Sequence, residues 1–150
     1  MQPLVAPLAL ACSLLFSSLA QAADPLNIDV YRDANCGCCT AWIEHLEENG
    51  FSVTDHVETD MQQVKQHLGV PRNLSSCHTG VIDGRFVEGH VPAADILKMR
   101  QLPDLLGVAV PGMPVGSPGM EMGDREDAYD VISLDQQGQS TVLSSYPSSN

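Results

Sequence analysis

The chain has 150 residues, 43% of them hydrophobic, with 7 Lys and Arg against 19 Asp and Glu and a formal net charge of −12. Such acidity excludes nucleic acid and anionic membrane as partners, whose phosphates would be repelled, and is compatible with a cation as cargo. The length suffices for one domain with its own core.

Residues 4–19 form an uncharged apolar run, and Ala20-Gln21-Ala22 supplies the small-x-small pattern of a signal-peptidase site. No Lys or Arg precedes the run, so the α-amino group alone charges the segment ahead of it. Pro7, Ser13, Ser17 and Ser18 make a poor membrane-spanning helix. The reading is therefore a cleavable signal over residues 1–22 and a periplasmic mature chain without a membrane span. Leu10-Ala11-Cys12 faintly resembles a lipobox, which would make Cys12 a lipidated N-terminus. The signal segment carries no charged side chain, so the mature chain keeps the whole charge of −12.

Residues 27–32 alternate polar and apolar as a first strand does, and Asp33-Ala34-Asn35 is a turn. Over residues 38–49, Trp42, Ile43 and Leu46 recur at helical spacing, with Gly50 as the stop. A second β-rich run covers 51–57. Thr59 or Asp60 can cap a helix through Met61, Val64 and Leu68 that ends at Gly69. Residues 78–82 and 85–88 flank an Asp83-Gly84 turn and predict a hairpin. Pro92 opens a third helix through Ile96, Leu97 and Met99. The order β-α-β-α-β-β-α needs a right-handed parallel crossover between the first two strands. With a Cys-x-x-Cys opening the first helix, it resembles the thioredoxin fold, an α/β class, and predicts sheet order two-one-three-four with helices on both faces. This domain is assigned to residues 23–104. Residues 105–150 are a C-terminal extension: a Gly/Pro/Met-rich stretch over 105–124, read as an ordered but irregular loop, then short strands at 129–134 and 140–144.

Of 5 cysteines, Cys12 leaves with the signal, and Cys36, Cys38, Cys39 and Cys77 remain. An exported protein ordinarily spreads cysteines as disulfide staples. Crowding Cys36-Gly37-Cys38-Cys39 closes no useful loop, and the neighbours Cys38 and Cys39 are badly placed to pair. The cluster reads as chemistry. It lies where a strand ends and a helix begins, and free N–H groups with the helix dipole stabilise thiolate there. In a thioredoxin-like topology the loop before the third strand, where thioredoxins carry a cis-proline, faces that helix start; here the loop holds Cys77. The turn bearing His90 comes to the same edge, so Cys36, Cys38, Cys39, Cys77, His78 and His90 are expected to converge.

One tetrahedral zinc prefers two separated Cys-x-x-Cys knuckles, whereas a crowd of thiolates suits a bridged cluster, and soft thiolates and thioethers select Cu(I). Met113 and Met120, with Met122 behind them, add thioethers in a loop without an evident packing role. An iron–sulfur cluster fits export less well. His45, His56 and His67 read as surface or partner-bonded histidines; Met61 and Met99, with Trp42 and Phe51, read as core.

The Cys-x-Cys-Cys motif, Leu74-Ser75-Ser76-Cys77-His78-Thr79, Glu88-Gly89-His90-Val91-Pro92, Val110-Pro111-Gly112-Met113-Pro114 and Gly116-Ser117-Pro118-Gly119-Met120-Glu121 together resemble the CopG-type copper-resistance family. The resemblance implies a periplasmic thioredoxin-like domain whose C-terminal extension helps bind copper, with oxidoreductase character. The expectation is a monomeric copper protein holding more than one ion, with Cys36 and Cys39 as the redox pair interconverting Cu(I) and Cu(II). Other periplasmic copper-resistance or efflux components are its expected partners. Sequestration or hand-off without turnover, and thiol–disulfide exchange on proteins, stand as alternatives.

Overall fold

A computed structural model describes residues 25–149. The signal segment over 1–22 and Cys12 lie outside them. Strand β1 (Asn27–Arg32) leads into helix α1 (Gly37–Glu48), strand β2 (Ser52–Val57), helix α2 (Met61–His67) and a 3-10 turn over Arg72–Leu74. Strands β3 (Thr79–Ile82) and β4 (Arg85–Glu88), helix α3 (Ala93–Arg100) and strands β5 (Leu105–Ala109), β6 (Tyr129–Asp135) and β7 (Ser140–Tyr146) complete the chain.

The strands form one sheet in the order β2-β1-β3-β4-β5-β6-β7. β1 and β2 run parallel through α1, and β3 lies antiparallel to β1, so the thioredoxin-like two-one-three-four order is present. The β3–β4 turn places Asp83 at φ 52° and Gly84 at φ 73°, the paired left-handed geometry of a tight hairpin turn. The Asp60 side chain caps α2 by accepting the Gln63 N–H at 3.0 Å.

The sequence reading of 105–124 as irregular fails at its start. Leu105–Ala109 is a strand, parallel to β4 across α3, and β6 and β7 extend the sheet beyond it. Gly107 is the reason for both the misreading and the strand. It looks like a loop residue, yet a Cβ there would lie 2.5 Å from the Phe86 ring, so only glycine lets β5 approach β4.

Alternation along the strands divides the core. Val87 and Val108 face α1 and α3, packing with Ile28, Val30, Trp42, Leu46, Ile96 and Met99. Phe86, Ala109 and Leu134 face the other way, against Val70 and Leu74. Trp42 and Met99 are fully buried as expected, whereas Leu97 is exposed. No helix among the described residues is long and apolar enough to cross a membrane.

Candidate metal centre

Cys36 is the N-cap of α1, and Cys38 and Cys39 occupy its first turn. Successive residues there are rotated by about 100°, which separates Cys38 from Cys39 but brings Cys36 and Cys39 together. These two form a disulfide with Cα atoms 5.3 Å apart. Cys39 is fully buried, while Cys38 and Cys77 are half-buried free thiols. The Cys38 Sγ lies 3.6 Å from the Cys36 Sγ. Cys77 comes from the loop after the 3-10 turn, and all four sulfurs lie within 4.8 Å of one another.

A second group shares Cys77: its Sγ and the ring nitrogens of His78 and His90 also lie within 4.8 Å of one another. Both imidazoles are buried, and backbone carbonyls fix their tautomers. His78 Nε2 faces the Gly89 carbonyl at 2.9 Å, and a carbonyl can only accept, so the proton is on Nε2 and the lone pair on Nδ1. His90 Nδ1 donates to the Pro118 carbonyl at 2.8 Å, which leaves the lone pair on Nε2. Those two lone pairs each lie 3.2 Å from the Cys77 sulfur. One thiol proton can serve only one of them. The arrangement is the one in which a second hydrogen bond orients each metal-binding imidazole.

Burial, reinforced by the neighbouring Cys38 thiol, pushes the Cys77 pKa up to about 11. The stabilisation expected for thiolates at the helix start does not reach Cys77, which lies across from it and is governed by desolvation. Burial lowers the pKa of His90 and drives that of His78 well below its ordinary value, with the mutual proximity of the two rings adding to the effect on His78. Both rings are therefore neutral, the state in which imidazole binds metals.

The loop bearing Cys77 is clamped from beneath by groups that sequence reasoning missed. Glu88, fully buried on β4, accepts the Ser76 N–H and the Lys65 ammonium on one oxygen and the Thr79 hydroxyl on the other. Lys65, from α2, also donates to the Thr79 hydroxyl at 2.9 Å. From above, the extension closes over the site. The Ser76 hydroxyl donates to the Gly112 carbonyl. Gly119, at φ +83°, lies so close to α1 that a Cβ would come within 2.7 Å of Trp42 N and 2.9 Å of the Cys38 carbonyl.

The methionines are placed unequally. Met120 follows Gly119 and is half-buried in a turn closed by its N–H to the Ser117 carbonyl. Met113 is 54% exposed and lines a shallow cavity with Pro114, Asp127, Tyr129 and Ile132, while Met122 is 66% exposed. His45 caps α3, its Nε2 accepting the Ala93 N–H at 3.1 Å. His56 pairs with Asp29 at 2.7 Å, and His67 lines a surface cavity beside Tyr31 and Glu58.

Residues 74–120 match a family described as a protein of unknown function, DUF411. No curated protein matches the chain. A solved structure named copper resistance protein CopG, Form 2, is 71% identical to it and superposes with a TM-score of 0.81 over 83% of this chain and 100% of that one. The Form 1 structure of the same name is 72% identical, with a TM-score of 0.80 over 83% of this chain and 99% of that one.

Proposed function

The chain belongs to the family of copper resistance protein CopG, and on that premise we propose that it is a periplasmic copper-binding protein. In this reading, segment 1–22 exports it, thiolates and imidazoles hold more than one copper ion, and the site exchanges electrons with its cargo.

One observation carries the proposal: two neutral imidazoles, their tautomers set by backbone carbonyls, direct free lone pairs at a sulfur that also belongs to a four-cysteine group. Soft sulfur with borderline nitrogen is a donor set suited to copper. Cys77 can serve both groups at once only by bridging, so more than one ion is held. Met120, next in the chain to Gly119, which packs against α1, completes the soft donor set. Met113 and Met122 meet incoming metal at the surface.

The redox step uses the Cys36–Cys39 pair. Two thiols give two electrons to two Cu(II), one S–S bond forms, and two Cu(I) and two protons result; the reverse restores the thiols. As a monomer, the protein would pass its metal to other periplasmic copper-resistance or efflux components.

The test is anaerobic titration of the fully reduced protein with Cu(I), read by native mass spectrometry. More than one ion per chain is expected, with a lower number in Cys77→Ser. One-to-one binding, or a stoichiometry indifferent to Cys77→Ser, contradicts the bridged site.

A further inference from the structure

The disulfide uses Cys36 and Cys39 and leaves two sulfurs over. Among the described residues Cys38 and Cys77 are the free cysteines, both half-buried, and their Sγ atoms lie within the 4.8 Å that encloses the whole group. We propose that Cys38 and Cys77 form a second dithiol–disulfide couple beside Cys36–Cys39, so that the site stores four electrons rather than two. This deepens the copper-redox reading above and rests on it.

Three features favour this pairing. Cys38 cannot readily pair with its neighbour Cys39, whose sulfur is in any case engaged, and the Cys36 sulfur 3.6 Å away is engaged too. Cys77 faces α1 from a loop held by the Ser76 N–H on Glu88 and the Ser76 hydroxyl on Gly112. The partner is thus presented at fixed height, its sulfur within 4.8 Å of the Cys38 sulfur. Finally, both thiols are partly open to solution, unlike Cys39, which has no exposed surface.

The step balances with Cu(II) as oxidant. The Cys38 and Cys77 S–H bonds break, one S–S bond forms, two electrons reduce two Cu(II) to Cu(I), and two protons leave to solvent. The consequence is release. With both disulfides closed no thiolate remains, and only imidazole and thioether are left to hold Cu(I). Oxidation of the second couple therefore empties the site, whereas oxidation of the first alone still leaves Cys38 and Cys77 to retain copper.

Trypsin separates the partners, placing Cys36, Cys38 and Cys39 on residues 33–65 and Cys77 on residues 73–85. Reduced, metal-free protein is oxidised anaerobically in two arms, one with the thiol oxidant diamide and one with excess Cu(II) plus a Cu(I) chelator. Wild type and Cys38→Ala are compared by alkylation and non-reducing peptide mapping. The two peptides should be linked in both arms for wild type and separate in Cys38→Ala, and wild type should yield two more Cu(I) per chain. Absence of the link with diamide overturns the proposal, as does a link that survives in Cys38→Ala. A diamide link without Cu(I) formation instead sinks the copper-redox reading and leaves the couple standing.

Discussion

His45 sits on α1 with its Nε2 accepting the first N–H of α3, a hydrogen bond that requires the ring to be neutral. Burial lowers its pKa, and the negative charges of Glu121 and Glu48 offset this only in part. The folded value lies below the unfolded one, so on acidification the unfolded chain takes up the proton first. Stability conferred by the neutral ring is thus complete above the unfolded pKa of about 6.5 and falls as pH drops through the folded value. Chemical denaturation of the metal-free protein should show stability declining below pH 6.5. In His45→Gln that decline should be shallower, by at most the one-proton slope of about 1.4 kcal/mol per pH unit. Parallel profiles for the two proteins would show that His45 does not titrate against folding. His78 is buried deeper and its pKa is lowered further, so part of the acid loss should persist in the variant.

At the scale of elements, α2 is tied to the sheet through a buried charge. Lys65 and Glu88 pair at 2.5 Å with their side chains 8% and 0% exposed, and the same carboxylate holds the Ser76 N–H one residue before Cys77. Removing one partner from such a pair strands the other charge, at a cost of about 3–5 kcal/mol. Lys65→Met should therefore lower the urea-unfolding free energy by roughly that amount. Adding Glu88→Gln should recover part of it, because the Gln carbonyl can still accept the Ser76 N–H while the stranded charge is gone. A loss below about 1 kcal/mol in Lys65→Met would mean that water reaches the carboxylate. The pairing in this clamp was not legible in the sequence: Glu88, Ser76 and Thr79 fall in the motifs that carry the family resemblance, but Lys65 lies 23 residues from Glu88 and nothing local joins them. The cysteines were legible because crowding them makes no sense as stapling. The β3–β4 hairpin was legible because Asp83-Gly84 announces its turn. β5 was not, because Gly107 reads as punctuation until its contact with Phe86 is seen. His78 and His90 could be named as candidates, but which nitrogen of each is free depends on the carbonyls of Gly89 and Pro118. Pro118 is brought there only by the folded extension.

Taken as a whole, the molecule builds its site from loops of both halves of the chain, gathered around the middle strands of one seven-stranded sheet. β5 carries the chain into the loop that lays Pro118 against His90 and Gly119 against the first turns of α1, so residues far along the chain close over the thiols. Burial, with the neighbouring Cys38 thiol, raises the pKa of Cys77. In the metal-free state this thiol keeps its proton up to about pH 11, rather than losing it near 9 as an ordinary cysteine would. In the bridged site proposed above, copper takes Cys77 as thiolate and displaces that single proton, and the apparent affinity rises about tenfold per pH unit for every proton released. A thiol stops contributing to this rise once the pH passes its own pKa, so Cys77 should continue to do so up to about pH 11. Chelator competition for Cu(I), run anaerobically on reduced protein from pH 6.5 to 10, should therefore show an affinity still climbing above pH 9. Cys77→Ser should lower the slope by about one decade per pH unit and flatten the profile above pH 9. A wild-type profile that levels at pH 9 would mean that Cys77 is an ordinary thiol in the reduced protein, and that burial does not hold its proton.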